Sequence, residues 1–562
     1  MCGASRETGY LSRNSFGNVS ASSHVSPIHV FGFICKRRNF VKYLYKTSIF
    51  INFVTMINPK KKADGKDDED LSSCVSESEQ MEQGQSEDAQ MQSDENTEDN
   101  DDDDGHADDD DEDSENDENN KKSGKEDGEG GGVFIPGKRI LAEDEELIMD
   151  HNAYVLYHQA TTFAPCLSFD ILRDQLGDNR ADVFPLTVYI VAGTQAETHE
   201  QNNLLCMKLW NMHRIDQTHG NDDDDDDDDS AEDDNDAYDD YNTQDTANRK
   251  PKLNVASVPH SGAINRVRVQ EFANGRKICA SWSDNGSVYV TDITEAVAAT
   301  QKSELLTSYI KKKLAPQPFF KFSGHKKEGF GLDWSPMVPG QLASGDCYRS
   351  IHVWRPLDNG ARFKVDERPL MGHTDSVEDI QWSPNESSVL ASCSVDKSVR
   401  IFDIRANPAK ACMLSVADAH TSDVNVIGWN RVDKTFLLSG GDDGIIKVWD
   451  LRQFKTGKPV TLFDYHKAPI TSIEWHPTDS TVFAASSEDD CVTLWDLAIE
   501  HDAETVAAQG AEGDGVDDLP PQLLFIHQGQ QEVKECHWHP QMPGVLLSTA
   551  HSGFNVFRTI SV

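Results

Sequence analysis

The chain has 562 residues, 97 of them acidic and 52 basic, for a formal net charge of −45. That length accommodates one large domain with appendages, and that charge disfavours direct binding of naked nucleic acid through the acidic regions. Eleven cysteines are scattered without a Cys-x-x-Cys pair, which argues against a zinc ribbon or redox pair and, with no clean secretory signal, points to a reducing compartment.

Residues 1–55 carry one acid, Glu7, beside Arg6, Arg13, Lys36, Arg37, Arg38, Lys42 and Lys46. Acid-poor basic sequence of this kind suits a mitochondrial transit peptide. It also suits an extension upstream of a working start at Met56, the reading favoured here because Met56 to Lys62 leads directly into acid. The apolar stretch near Ile49–Ile57 is too short and interrupted to span a membrane. Residues 56–133 form an acidic tail, in which 64–129 hold 30 acidic and 4 basic residues. A second tract, 222–240, holds 14 acidic residues and no basic one. Together they account for nearly all of the net charge. Such runs repel themselves and bury no core, so the tail and a loop over 219–250 should be disordered.

Gly132 to Arg139 faintly echoes a phosphate-binding loop. It lacks the Ser or Thr that would hold magnesium, and it follows acid rather than a strand, so no nucleotide site is expected. Residues 140–160 read as an N-terminal α-helix. Acids from Glu143 to Glu146 suit a helix start, and Leu147, Ile148, Tyr154 and Val155 fall at helical spacing. Strand-like segments follow at Cys166–Leu172, Leu186–Val191 and Leu204–Trp210.

Beyond residue 250 one spacing dominates. A histidine precedes an aromatic by the same interval four times: His325 and Trp354, His373 and Phe402, His420 and Trp449, His466 and Trp495. A further tryptophan follows each histidine at a second fixed interval: Trp334, Trp382, Trp429 and Trp475. Repeats slightly longer than about 40–45 residues with such marks signal propeller blades of four strands each. Third strands near Trp210, Val290, Trp354, Phe402, Trp449, Trp495 and Phe557 give an all-β, seven-bladed β-propeller over 164–562. The chain stops shortly after Phe557, so Cys166–Leu172 is expected to complete the last blade.

His373, Ser392 and Asp396 resemble a hydrolytic triad. Catalysis needs such a set once, in one cleft, whereas here it recurs from blade to blade with Ser344 and Ser439 at matching positions. An internal hydrogen-bond network is the expected role. Cys536-His537-Trp538-His539 lies on a strand whose alternate side chains face opposite ways, which does not make a metal site. No catalytic motif and no cofactor site is expected.

Gly324-His325, Gly372-His373, Trp449-Asp450 and Trp495-Asp496 resemble WD-repeat marks. The segment Glu143–Tyr157, followed by Leu167-Ser168-Phe169 and Val191-Ala192-Gly193-Thr194, resembles the N-terminal region of the histone-binding WD-repeat family. The run Asp514-Gly515-Val516-Asp517-Asp518-Leu519-Pro520-Pro521 resembles that family's acidic Pro-Pro loop. The acidic tail and early acidic loop are the look of its glutamate-rich, ribosome-assembly branch. The resemblance implies a non-enzymatic nuclear and nucleolar chaperone. Its partners would be a basic large-subunit ribosomal protein and pre-ribosomal particles, with histones also possible. It implies a client groove of Leu147, Ile148, Tyr154, Asp514, Asp517, Asp518, Pro520 and Pro521. A histone chaperone or chromatin scaffold is the alternative. A further one is a receptor for a cullin–RING ubiquitin ligase, since Asp403 with Arg405 and Asp450 with Arg452 resemble the Trp-Asp-x-Arg box of such receptors. No membrane partner is implied.

Overall fold

The computed structural model describes residues 33–37, 48–49, 145–215, 249–312, 316–499 and 519–562; in the first two segments and at residues 145–147 it describes the backbone alone. The acidic tail 56–133, the tract 222–240 and the acids Asp514, Asp517 and Asp518 lie outside the described residues.

Seven antiparallel sheets form the blades. The first blade runs Cys166–Leu172, Leu186–Thr194, Asn203–Met212 and Lys252–Pro259, inner strand to outer. The sixth runs Ile470–Trp475, Val482–Ser487, Val492–Asp496 and Leu523–His527. Second strands such as Val482–Ser487 are buried at every position, as expected of strands covered on both faces. The seven third strands lie where the repeat spacing puts them.

Ring closure differs from expectation. Cys166–Leu172 is the inner strand of the first blade. The last blade is completed by Tyr154–Ala160, which pairs antiparallel with Gly553–Thr559. The propeller therefore begins at Tyr154 rather than at residue 164, and the expected helix over 140–160 is absent. In its place stand a strand at Glu145–Met149, a 3₁₀ turn at His151–Ala153 and the closing strand. The physical reason is a period of two. Tyr154, Leu156 and Ala160 are buried, while Val155 and Tyr157 are only half-buried. Leu156 packs in one cluster with Phe169 and Val188 of the first blade and Phe554 and Val556 of the last. Glu145–Met149 pairs with Phe33–Arg37, a partner more than 100 residues upstream.

Neighbouring blades are bolted together along their inner strands. The tryptophans that follow the repeat histidines supply part of this. Trp334, Trp382 and Trp475 each donate the indole N–H to a carbonyl of the preceding blade, at Arg268, Asp333 and Gly428. Carboxylates supply another part: Asp170, Asp333, Asp379 and Glu474 each accept a backbone N–H of the following blade. Glu535 makes the closing bond, accepting Phe169 N–H of the first blade at 2.8 Å.

Two helices, Thr294–Ala299 and Ser303–Lys312, are inserted before the outer strand of the second blade. They bury Ala296, Val297 and Tyr309 against Ala256 and Val258 of the first. Among the described residues no helix is long and apolar enough to cross a membrane.

Candidate functional site

The repeated His-Ser-Asp sets are structural. His373 bonds Asp396 at 3.0 Å and Ser392 at 2.7 Å; His325 and His420 repeat this with Asp346 and Ser344, and with Asp443 and Ser439. All three imidazoles are enclosed, so no substrate reaches them. Burial pushes the His325 and His373 pKa values down and keeps these rings neutral. Burial opposes ionisation of Asp396 and Asp443, but the bonds from His373 and His420 win and hold both carboxyls well below the usual range. The indole N–H groups of Trp354 and Trp449 end on the same serines. In the sixth blade Ala485 stands where the serine would, and Thr493 bonds both His466 and Trp495. In the last blade Gln530 takes the histidine's seat and bonds Ser548.

With that seat filled, His527 is free for another task. Its Nδ1 bonds the Tyr154 hydroxyl at 2.8 Å and its ring stacks on Phe557 at 3.9 Å. Tyr154 meets Phe525 edge-on at 5.3 Å. The N-terminal segment is thereby welded to Leu523–His527, the outer strand of the sixth blade. That strand follows directly from Pro520 and Pro521. Leu519 is buried in the sixth-blade core, and Gln522 bonds Ile499 O across the base of the 500–518 segment. Met149 and Leu524 pack against one common cluster. The two walls expected of a groove are thus neighbours.

Its membership needs one correction. Tyr154 is fully buried and hydrogen-bonded, so no client can touch it; it fixes the wall from behind. Ile148 is exposed at 45 %, while Pro520 and Pro521 are half-buried. The Leu147 side chain and the three loop acids lie outside the described residues.

The two Asp-x-Arg pairs have a local role. Asp403 receives Nε and Nη2 of Arg405 at 2.9 and 2.6 Å, and Asp450 receives those of Arg452 at 2.9 and 2.8 Å. These bonds hold both carboxyls below their usual range. Each aspartate also accepts the backbone N–H two residues on, a turn that Asp496 repeats with Ala498 and no arginine. Turn closure is therefore the general job of the aspartate; the exposed guanidiniums are an addition in two blades.

Among the described residues no group of three His, Cys, Asp or Glu side chains could hold a metal ion. His537 instead joins a buried ion cluster, 3.0 Å from Glu474 and 3.3 Å from Glu535. Arg266 and Arg268 each reach Glu535 at 2.8 Å. Burial opposes charge on both His537 and Glu535. The carboxylates nonetheless raise His537 to about 10, and Arg268 with His537 holds Glu535 well below the carboxylate range.

Comparison with known proteins decides the family. The family model described as the histone-binding protein RBBP4, or the equivalent CAF1-complex component, matches residues 144–213. That for the WD domain, G-beta repeat, matches 366–403, 412–450 and 457–496. Glutamate-rich WD repeat-containing protein 1 of Dictyostelium discoideum is 42% identical, over 77% of this chain and 86% of the relative. The chain belongs to the glutamate-rich WD-repeat family. Two further relatives are the protein HEAT STRESS TOLERANT DWD 1 of Arabidopsis thaliana and the ribosome assembly protein rrb1 of Schizosaccharomyces pombe. The first is 44% identical, over 76% of this chain and 92% of the relative. The second is 38% identical, over 76% and 84%. This family membership covers the propeller and the N-terminal segment welded to it.

Proposed function

We propose that this chain is a non-enzymatic chaperone of the nucleus and nucleolus that carries a basic large-subunit ribosomal protein into ribosome assembly. The observation that carries the reading is the 38% identity to a ribosome assembly protein over 84% of that relative. The chemistry agrees. The acidic tracts offer a polyanion that speeds capture of a basic client by long-range attraction. The groove beside Pro520 and Pro521 offers a shaped seat, with Asp514, Asp517 and Asp518 presented to client cations and Ile148 to an apolar side chain.

The match of residues 144–213 to a histone-binding family favours one second reading, a histone chaperone using the same groove. Calorimetric titration of the Asp517→Lys, Asp518→Lys double variant separates the two. Removing a charge from a desolvated pair costs about 2–5 kcal/mol of binding. Loss of both the ribosomal protein and histones assigns both to the groove. Loss of histone binding alone gives the ribosomal protein another site, and unchanged affinity for both removes the groove from the reading. The melting temperature should barely move, because the substitutions lie on a segment that leaves the blade core at Leu519.

A further inference from the structure

A cavity of about 290 Å³ lies between the third and fourth blades. Three guanidiniums from three separate segments line it. Arg355 comes from the third-blade strand Ile351–Leu357, Arg368 from the link to the fourth blade, and Arg405 from the turn after Val399–Asp403. Asp366 is the only acid among the described residues that line it. It sits 3.9 Å from Arg355 and 3.8 Å from Arg368, outside hydrogen-bond distance of either. The lining is therefore cationic, on a chain with a net charge of −45. The walls are firm: Leu370 N–H donates to Ile351 O, Met371 N–H to Pro408 O, and His352 holds Asp366 O at 2.7 Å. Val353 and Leu370 give the cavity an apolar floor.

Guanidiniums with spare donors above an apolar floor suit a peptide that alternates carboxylates with apolar side chains. We propose that this pocket docks an acidic peptide and that its occupant is this chain's own segment 64–129. Charge complementarity is one reason. Composition is the second: that segment sets Leu71, Val75, Met81 and Met91 among its acids, while the tract 222–240 offers no aliphatic residue larger than alanine. Tethering is the third, because a segment of the same chain meets the pocket at an effective concentration no free peptide reaches. Docking would hold the acids against the propeller until a more basic surface draws them off, whichever client presents that surface.

Arg452 supplies a matched control. It makes the same clamp to Asp450 that Arg405 makes to Asp403, is similarly exposed, and does not line this cavity. The experiment is phenylglyoxal modification of the full chain at about 20 mM salt, where screening is weak, read at each arginine by peptide mass spectrometry. Arg405 and Arg368 should react at least about threefold more slowly than Arg452, and the difference should vanish at about 0.5 M salt. It should also vanish in a full chain whose acids between Asp94 and Glu118 are replaced by amides. A free peptide copying 94–118 should restore it in that variant. Equal rates at Arg405 and Arg452 under all conditions would overturn the site. Protection that survives the amide replacement would overturn the occupant, and protection that fades on dilution would show docking between copies instead.

Discussion

Glu535 carries more consequence than any other single side chain. It closes the ring to Phe169, receives Arg266 and Arg268, and is itself buried. Replacing one member of a buried, hydrogen-bonded ion cluster leaves the others uncompensated and costs about 3–5 kcal/mol. Glu535→Gln should therefore lower the unfolding free energy by that amount, measured by denaturant titration. A loss below about 1 kcal/mol, the level of an exposed pair, would show that the cluster is solvated. The Ser-His-Asp sets were legible in the sequence as structure rather than catalysis because they recur. Glu535 was not legible, since its partners Arg266 and Arg268 lie more than 260 residues away and no repeat mark points to them. The role of Trp334, Trp382 and Trp475 was hidden likewise: their spacing was visible, but a bond to the neighbouring blade has no signature in one repeat.

Among the elements, the closing strand Tyr154–Ala160 matters most, because it joins the start of the propeller to its end. Acids at 143–146 and apolar residues at 147, 148, 154 and 155 imitate a helix. The alternation of Tyr154, Leu156 and Ala160 was equally present in the sequence, yet so short a segment cannot settle a period. What decides it is the sheet edge offered by Gly553–Thr559, a long-range partner. Seven third strands were readable because each ends near a residue at fixed spacing; the outer strand of the last blade was not, because it comes from the other end of the domain. Leu156 is fully buried at the seam between first and last blades. Leu156→Ala should cost about 2–5 kcal/mol, and hydrogen exchange should show first loss of protection along Gly553–Thr559. Loss confined to residues near 156, with the partner strand unaffected, would contradict the closing role.

At the scale of the whole molecule, buried histidines set how stability depends on pH. Burial lowers His158 and His260 to about 4, and His527 and His539 to about 3. An unfolded histidine titrates near about 6.5. Below that pH the unfolded chain takes up protons that the folded chain refuses, so stability is full above about 6.5 and falls as the medium becomes more acidic. Each such group contributes a slope of about 1.4 kcal/mol per pH unit down to its folded value. Asp333 works the other way. Burial raises it to about 7 despite the bond from Trp382, so its penalty grows as pH rises from about 4 to about 7. One opposing group cannot cancel four, and net stability should drop steeply from about pH 6.5 to about 4.5. His537 governs the alkaline side: raised to about 10, it gives stability that is complete below about 6.5 and lost as pH rises through about 10. Unfolding free energies measured by denaturant from about pH 4.5 to about 10 test both limbs. His527→Gln should flatten the acid limb by about 1.4 kcal/mol per pH unit whatever it does to the plateau, because slope counts protons while the plateau also reflects the lost bond to Tyr154. An acid limb of unchanged slope in that variant would mean that His527 is protonated within the fold, and the weld between the N-terminal segment and the sixth blade would then need a different donor.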